Sequence, residues 1–139
     1  MSLTDRGRPE LLTEGEPPGL LARERRSFGY AFAGVAHAWR TQAHLRIHVG
    51  IGLLALVLAW ALGLSAAEWA ILLTTITLVL VLELLNTAVE AAVDLASPER
   101  HPLAKIAKDV TAGAVLVAAV GSVLVAVALF GPRLLALAR

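Results

Sequence analysis

The stretch ELLNTAVEAAVDL, residues 83 to 95, sets Glu83, Asn86, Glu90 and Asp94 within a few turns of one another. On a helix of about 100° per residue, with Glu83 at zero, Asn86 falls at about −60°, Glu90 at about −20° and Asp94 at about +20°. Three carboxylates and an amide therefore share one stripe, and Leu84, Leu85, Ala88, Val89, Ala91, Ala92 and Val93 cover the rest. Carboxylates of this kind bind Mg²⁺, usually one or two of them together with the phosphates of a nucleotide. A second, partly desolvated carboxylate can take a proton from an alcohol. Further on stand Lys108 and Asp109, and a lysine there can neutralise a phosphate in transfer. A metal-binding acid, a base and a cation are the parts of a phosphoryl-transfer site. No Gly-rich phosphate loop of the GxxxxGK[ST] type accompanies them.

The elements that must position these groups are apolar. Of 139 residues, 58% are hydrophobic and the mean hydropathy is +0.74, well above the roughly 45–50% apolar content of soluble domains. Segments at about 47–64, 66–95 and 106–130 are each long enough to cross a bilayer. The acidic stripe closes the second of them. Charge in a bilayer costs at least a few kcal/mol per residue and marks a functional site by default. Before the first span, Phe28, Phe32, Val35 and Trp39 recur at spacings of three and four, which predicts an amphipathic surface helix over 23–45. Residues 1–22, with Pro9, Pro17 and Pro18, read as a disordered tail, and 131–139 as a C-terminal tail. The fold class expected is an all-α membrane protein with three transmembrane helices and an N-terminal surface helix. Small residues in the third span, including Gly113 and Gly121, suit close helix packing, and three thin helices shield polar groups poorly, so a homo-oligomer is expected.

Lys and Arg set the orientation. Arg23, Arg25, Arg26, Arg40 and Arg46 precede the first span, and Arg100, Lys105 and Lys108 follow the second, while the turn between these spans has none. The N-terminus and the 96–105 loop are thus expected in the cytoplasm, with Arg133 and Arg139 running against the rule. No basic stripe with interleaved aromatics is present, which sets nucleic acid aside, and no cysteine occurs. His37, His44 and His48 lie roughly on one helical side, but no fourth ligand is near, so they read as interfacial rather than as a zinc site. Trp39, Trp60 and Trp69 read as interface anchors.

The stretches ELLNTAVEAAVDL, SPERHPLAKIAKDVTAGAVL (97–116) and, more loosely, FAGVAHAWRTQAHLRIH (32–48) resemble the small bacterial integral-membrane lipid kinases, which comprise the prokaryotic diacylglycerol kinases and the undecaprenol kinases. The resemblance covers about residues 24 to 130. It implies a homotrimer of three-span subunits in the inner membrane, using ATP with Mg²⁺ to phosphorylate a lipid alcohol. It implies that Glu83 is the catalytic base, that Asn86 positions the reacting groups and that Glu90 binds the metal. Lys108 would contact phosphate, with Asp109, His101 and Glu99 around the nucleotide, and Arg23 and Tyr30 of the surface helix near substrate or nucleotide. The family usually has a glutamate, shared in metal binding, where this chain has Gln42. Residues 95–109 resemble the undecaprenol-kinase branch more than the other. Two rivals from other classes stand beside this reading: a small ion- or proton-conducting protein using the acidic stripe as a path, and an assembly protein in which the stripe only pairs helices.

Overall fold

The chain forms four helices in a computed structural model that describes residues 19–97, 99 and 101–139. Residues 1–18 of the expected tail, and Pro98 and Arg100, lie outside the described residues. Helix α1 spans Leu20–Thr41, α2 Ala43–Ala61, α3 Ala66–Ala96 and α4 Pro102–Leu137, and no strand occurs among the described residues. The chain divides into two units between Ala33 and Gly34. In the first, the helix exposes Phe28 and Phe32, two residues of the apolar face expected of a surface helix. The second unit, from Gly34 onward, holds the remaining elements.

Helix α1 ends because Gln42 turns to extended backbone, φ −102° and ψ 111°. The carbonyls left over at its last turn find donors: the Gln42 amide donates to Ala38 O at 2.8 Å and Arg46 Nη1 to Trp39 O at 2.8 Å. The break thus falls at Gln42, earlier than the expected helix end at 45. Helix α2 stops at Gly63, whose φ of +63° is the left-handed conformation that closes a helix. The Leu64 amide donates to Ala59 O at 3.1 Å and that of Gly63 to Trp60 O at 3.3 Å. Two residues later Ser65 opens α3 through a reciprocal capping box with Glu68. The connection is so short that α2 and α3 must run antiparallel.

Helix α2 packs on α3, and α3 on α4. Ala59, Leu64, Leu72, Leu129 and Phe130 form the buried cluster, at the end of the bundle near the α2–α3 turn. At Gly52 an added Cβ would stand 3.2 Å from Ile76 Cγ2, so α2 uses glycine to approach α3 closely. Gly113 and Gly121 of α4, expected to serve close packing, have no atom within 4 Å of such a Cβ in this chain. Helix α4 begins at Pro102 rather than 106 and continues through Pro132 to Leu137, so most of the expected C-terminal tail is helical. The start has a local cause: His101 caps it, its Nδ1 accepting from the Leu103 amide at 3.2 Å, and Pro102 fits the first turn, where no amide donor is needed.

Three helices, Ala43–Ala61, Ala66–Ala96 and Pro102–Leu137, are long and apolar enough to cross a membrane. The chain is a membrane protein, and its outer surface fits that solvent: Leu54, Val57, Trp60, Val117 and Leu124 are all exposed. Arg133 and Glu68 join α4 to α3 by two parallel bonds, Nη1 to Oε1 at 2.9 Å and Nη2 to Oε2 at 2.8 Å. Arg133, which runs against the charge rule, is thus paired with a carboxylate. A second cross-helix ion pair, Lys108 with Asp94, lies towards the other end of α3. At a rise of about 1.5 Å per residue, Glu83 stands about 22 Å along α3 from Glu68, and Glu90 about 33 Å. Against a hydrocarbon core of about 30 Å, Glu83 falls inside and Glu90 near the boundary.

A planar guanidinium fork matches a carboxylate as an ammonium cannot. Thermal unfolding in bilayers should therefore show lowered midpoints for Glu68→Gln and Arg133→Met, with Arg133→Lys recovering only part of the loss.

Candidate active site

Glu83 is the one buried charged side chain among the described residues, its residue surface 4% exposed. The helical wheel places it on the inner face of α3, and there it meets α2: His48 Nε2 lies 3.2 Å from Glu83 Oε1. Next on the stripe, Asn86 Nδ2 donates to Glu90 Oε1 at 2.9 Å. The other oxygen of Glu90 accepts from Gln42 Nε2 at 3.3 Å. Gln42 is the N-cap residue of α2 yet makes no capping bond with its side chain. Its amide reaches α3 instead, a local rule given up at the place where the elbow after α1 meets the acidic stripe.

Gln42, Asn86 and Glu90, brought together here, were all named from the sequence. Both oxygens of Glu90 hold amide donors, while Asn86 Oδ1 is buried with no hydrogen-bond partner. Leaving such an oxygen unpaired costs about 1–3 kcal/mol, so the site has unspent capacity for a donor or a cation. An amide side chain offers a carbonyl oxygen as well as an NH₂ group. One carboxylate and two amide oxygens make a hard, oxygen-only donor set, which suits Mg²⁺. No three His, Asp or Glu side chains converge as a ligand set among the described residues, so such an ion would draw its remaining oxygens from phosphate.

Two clefts hold further residues named as site candidates. One of about 530 Å³ is lined by Glu99, His101, Pro102, Ala104, Lys105 and Lys108, within the size range of ligand pockets, roughly 300–1,000 Å³. It gathers three of the residues expected near a nucleotide. Lys108 pairs across to Asp94, and Asp109 pairs with Lys105 one turn back on α4. Asp109 does not line the cleft. His101 serves as a helix cap as well as lining the cleft. Arg23 and Tyr30 belong to the first unit, where both are exposed on α1. A second cleft of about 260 Å³ is lined by His44, His48, Glu83, Asn86, Ala112, Val115, Leu116 and Ala119. It sets Glu83 and Asn86 against an apolar wall of α4, an arrangement suited to the hydroxyl end of a lipid.

His48 is the site residue that the sequence reading did not single out, having grouped it with His37 and His44 as interfacial. The available signal was its register. Leu45, Gly52 and Ala59 are the buried face of α2 at spacings of seven, and His48 falls between the first two on the same seam.

A carboxylate buried within a span, a cleft lined by Lys105 and Lys108, and a row of oxygen-bearing side chains on α3 are parts that an integral-membrane phosphotransferase would use. Residues 29–130 match the prokaryotic diacylglycerol kinase family. The chain is 50% identical over 112 residues to a diacylglycerol kinase of Synechocystis, a match spanning 80% of this chain and 64% of that protein. It is 40% identical over 114 residues to an undecaprenol kinase of Bacillus subtilis, spanning 82% of this chain and 93% of the relative. It is 38% identical over 96 residues to a diacylglycerol kinase of Escherichia coli K12, spanning 69% and 79%. The chain belongs to the prokaryotic diacylglycerol kinase family and is a lipid kinase. The ion-conducting reading of the acidic stripe gains no support.

A second carboxylate beside Glu90 should strengthen metal binding. In Gln42→Glu protein the Mg²⁺ concentration for half-maximal turnover should fall by about tenfold, and Mg²⁺ should raise its melting midpoint more than that of wild type. An unchanged Mg²⁺ dependence would remove Gln42 from the metal site.

Proposed function

We propose that the protein transfers the γ-phosphate of ATP to the hydroxyl of undecaprenol at the cytoplasmic face of the inner membrane. Diacylglycerol is the second reading, favoured by the 50% identity to a relative so named. Undecaprenol is preferred because the undecaprenol kinase is matched over 93% of its length and because residues 95–109 resemble that branch. The observation that carries the proposal is Glu83, buried at 4% exposure inside a membrane-spanning helix and lining the cleft with the apolar α4 wall.

In this reading Glu83 takes the hydroxyl proton as the lipid oxygen bonds to the γ-phosphorus and the bond to the ADP oxygen breaks. Asn86, whose Oδ1 is left unpaired by the chain itself, helps to position the reacting groups. Glu90, with Gln42, would hold Mg²⁺, which when bound neutralises phosphate charge. Lys108 exchanges its carboxylate partner Asp94 for phosphate, and His101 and Glu99 line the nucleotide cleft. Asp109 keeps Lys105 in place at its edge. The family resemblance supports a part for Arg23 and Tyr30 in binding substrate or nucleotide. The N-terminus lies in the cytoplasm with the row of cations. Three subunits cover the apolar faces that one chain leaves open, Gly113 and Gly121 among them.

Purified protein in bilayers, given labelled ATP, Mg²⁺ and both lipids together, should phosphorylate undecaprenol in preference to diacylglycerol. Glu83→Gln should lower turnover by about 10²- to 10⁴-fold, the range for loss of a general base, while nucleotide binding persists. An active Glu83→Gln protein would end the base assignment, and a preference for diacylglycerol would end the choice of acceptor.

A further inference from the structure

The contact between His48 and Glu83 joins two helices at the deepest point of the site. The α3-facing seam of α2 runs Leu45, His48, Gly52, Ala55, Ala59, at alternating spacings of three and four. Leu45, Gly52 and Ala59 are buried, and Ala55 packs against the buried cluster. A seam position in lipid-embedded helices is normally apolar or small, so an imidazole there calls for a cause. The cause on the opposite helix is Glu83 Oε1, 3.2 Å away. His48 also stands where two cavities meet. One is the cleft of about 260 Å³ that it lines with Glu83. The other is an apolar pocket of about 70 Å³, bounded by Gly52, Leu72, Ile76 and Val79.

We infer that His48 is a positioning residue for Glu83, holding one carboxylate oxygen so that the other faces the lipid hydroxyl. The inference rests on the reading of Glu83 as the base. An ionised carboxylate only accepts hydrogen bonds, so to hold it the ring must carry its proton on Nε2 and turn that N–H onto Oε1, 3.2 Å away. This contact gives one carboxylate oxygen a fixed partner at a buried position. It also fixes the rotation of a side chain whose terminal torsion is otherwise broad. Oε2 is then free to receive the hydroxyl proton, while His48 keeps its own and needs no partner for exchange. The other groups on this cleft are His44 and Asn86, and its α4 wall of Ala112, Val115, Leu116 and Ala119 brings no charge.

The test compares His48→Ala and His48→Gln, each alone and combined with Glu83→Gln, in bilayers. A misplaced base costs on the order of 100-fold, so His48→Ala should lose about 10- to 100-fold in kcat, with KM for ATP and for the lipid alcohol within about twofold, the pattern of a group acting on the transition state alone. Glutamine keeps an N–H donor on a side chain of similar reach and should recover most of the rate. On the Glu83→Gln background, His48→Ala should cost nothing further. Full activity in His48→Ala alongside an inactive Glu83→Gln would overturn the inference and leave the base reading intact. Equal losses in His48→Gln and His48→Ala, or lowered melting midpoints in both, would assign His48 to packing and overturn it too. An active Glu83→Gln protein would instead remove the base reading on which it stands.

Discussion

A carboxylate set inside the hydrocarbon thickness of a bilayer is the constraint on which this molecule is organised. Glu83 lies about 22 Å along α3 from the ion pair at the far end, short of the roughly 30 Å needed to reach the opposite headgroups. An acid at that depth costs at least a few kcal/mol, and it persists only where neighbours supply hydrogen bonds and space. His48 Nε2 lies 3.2 Å from it. The glycine and alanine seam of α2 lets that helix come close enough for the ring to reach. The cleft against α4 supplies the space.

Around that point the helices are held at their ends. Glu68 and Arg133 tie α3 to α4 beside the capped α2–α3 turn, and Asp94 and Lys108 tie the same helices towards the other end. The buried apolar cluster lies with the first of these ties, so the bundle is firmest where no chemistry is placed. Towards the acidic end, apolar packing gives way to polar contacts: Gln42 and Asn86 on Glu90, and Lys108 on Asp94. Contacts of this kind can be exchanged for phosphate and metal without unpacking a core. Placing the groups on helices rather than loops keeps their spacing fixed while partners change.

Much of this was legible in the residues. Three spans and the surface helix follow from apolar length and from the recurrence of Phe28, Phe32, Val35 and Trp39, because the bilayer permits few alternatives to helix. The stripe of Glu83, Asn86, Glu90 and Asp94 follows from helical geometry alone; the structure buries Glu83, half-buries Asn86 and Glu90, and leaves Asp94 exposed. What was not legible depends on contacts between elements. That Arg133 pairs with Glu68 is set by a contact between α3 and α4. Helix α4 was expected to stop before Pro132, but a proline late in a helix does not end it when the following residues still have helical partners. The elbow at Gln42 carries no Gly or Pro to announce it. His48 was passed over because its role is set by a residue on another helix. The match to the prokaryotic diacylglycerol kinase family identifies the chemistry, and the contacts say how this chain arranges it.

The central claim is that Glu83 is kept in the membrane for chemistry and at a cost to stability. Methionine is linear, neutral and close to glutamate in length, so Glu83→Met removes the charge with little change of shape. Its melting midpoint in bilayers, measured beside wild type, tests the claim most directly. The account predicts a midpoint equal to or above that of wild type in a protein that no longer phosphorylates lipid. A midpoint several degrees lower, with lipid phosphorylation retained, would show Glu83 to be a structural tie between helices and would contradict it.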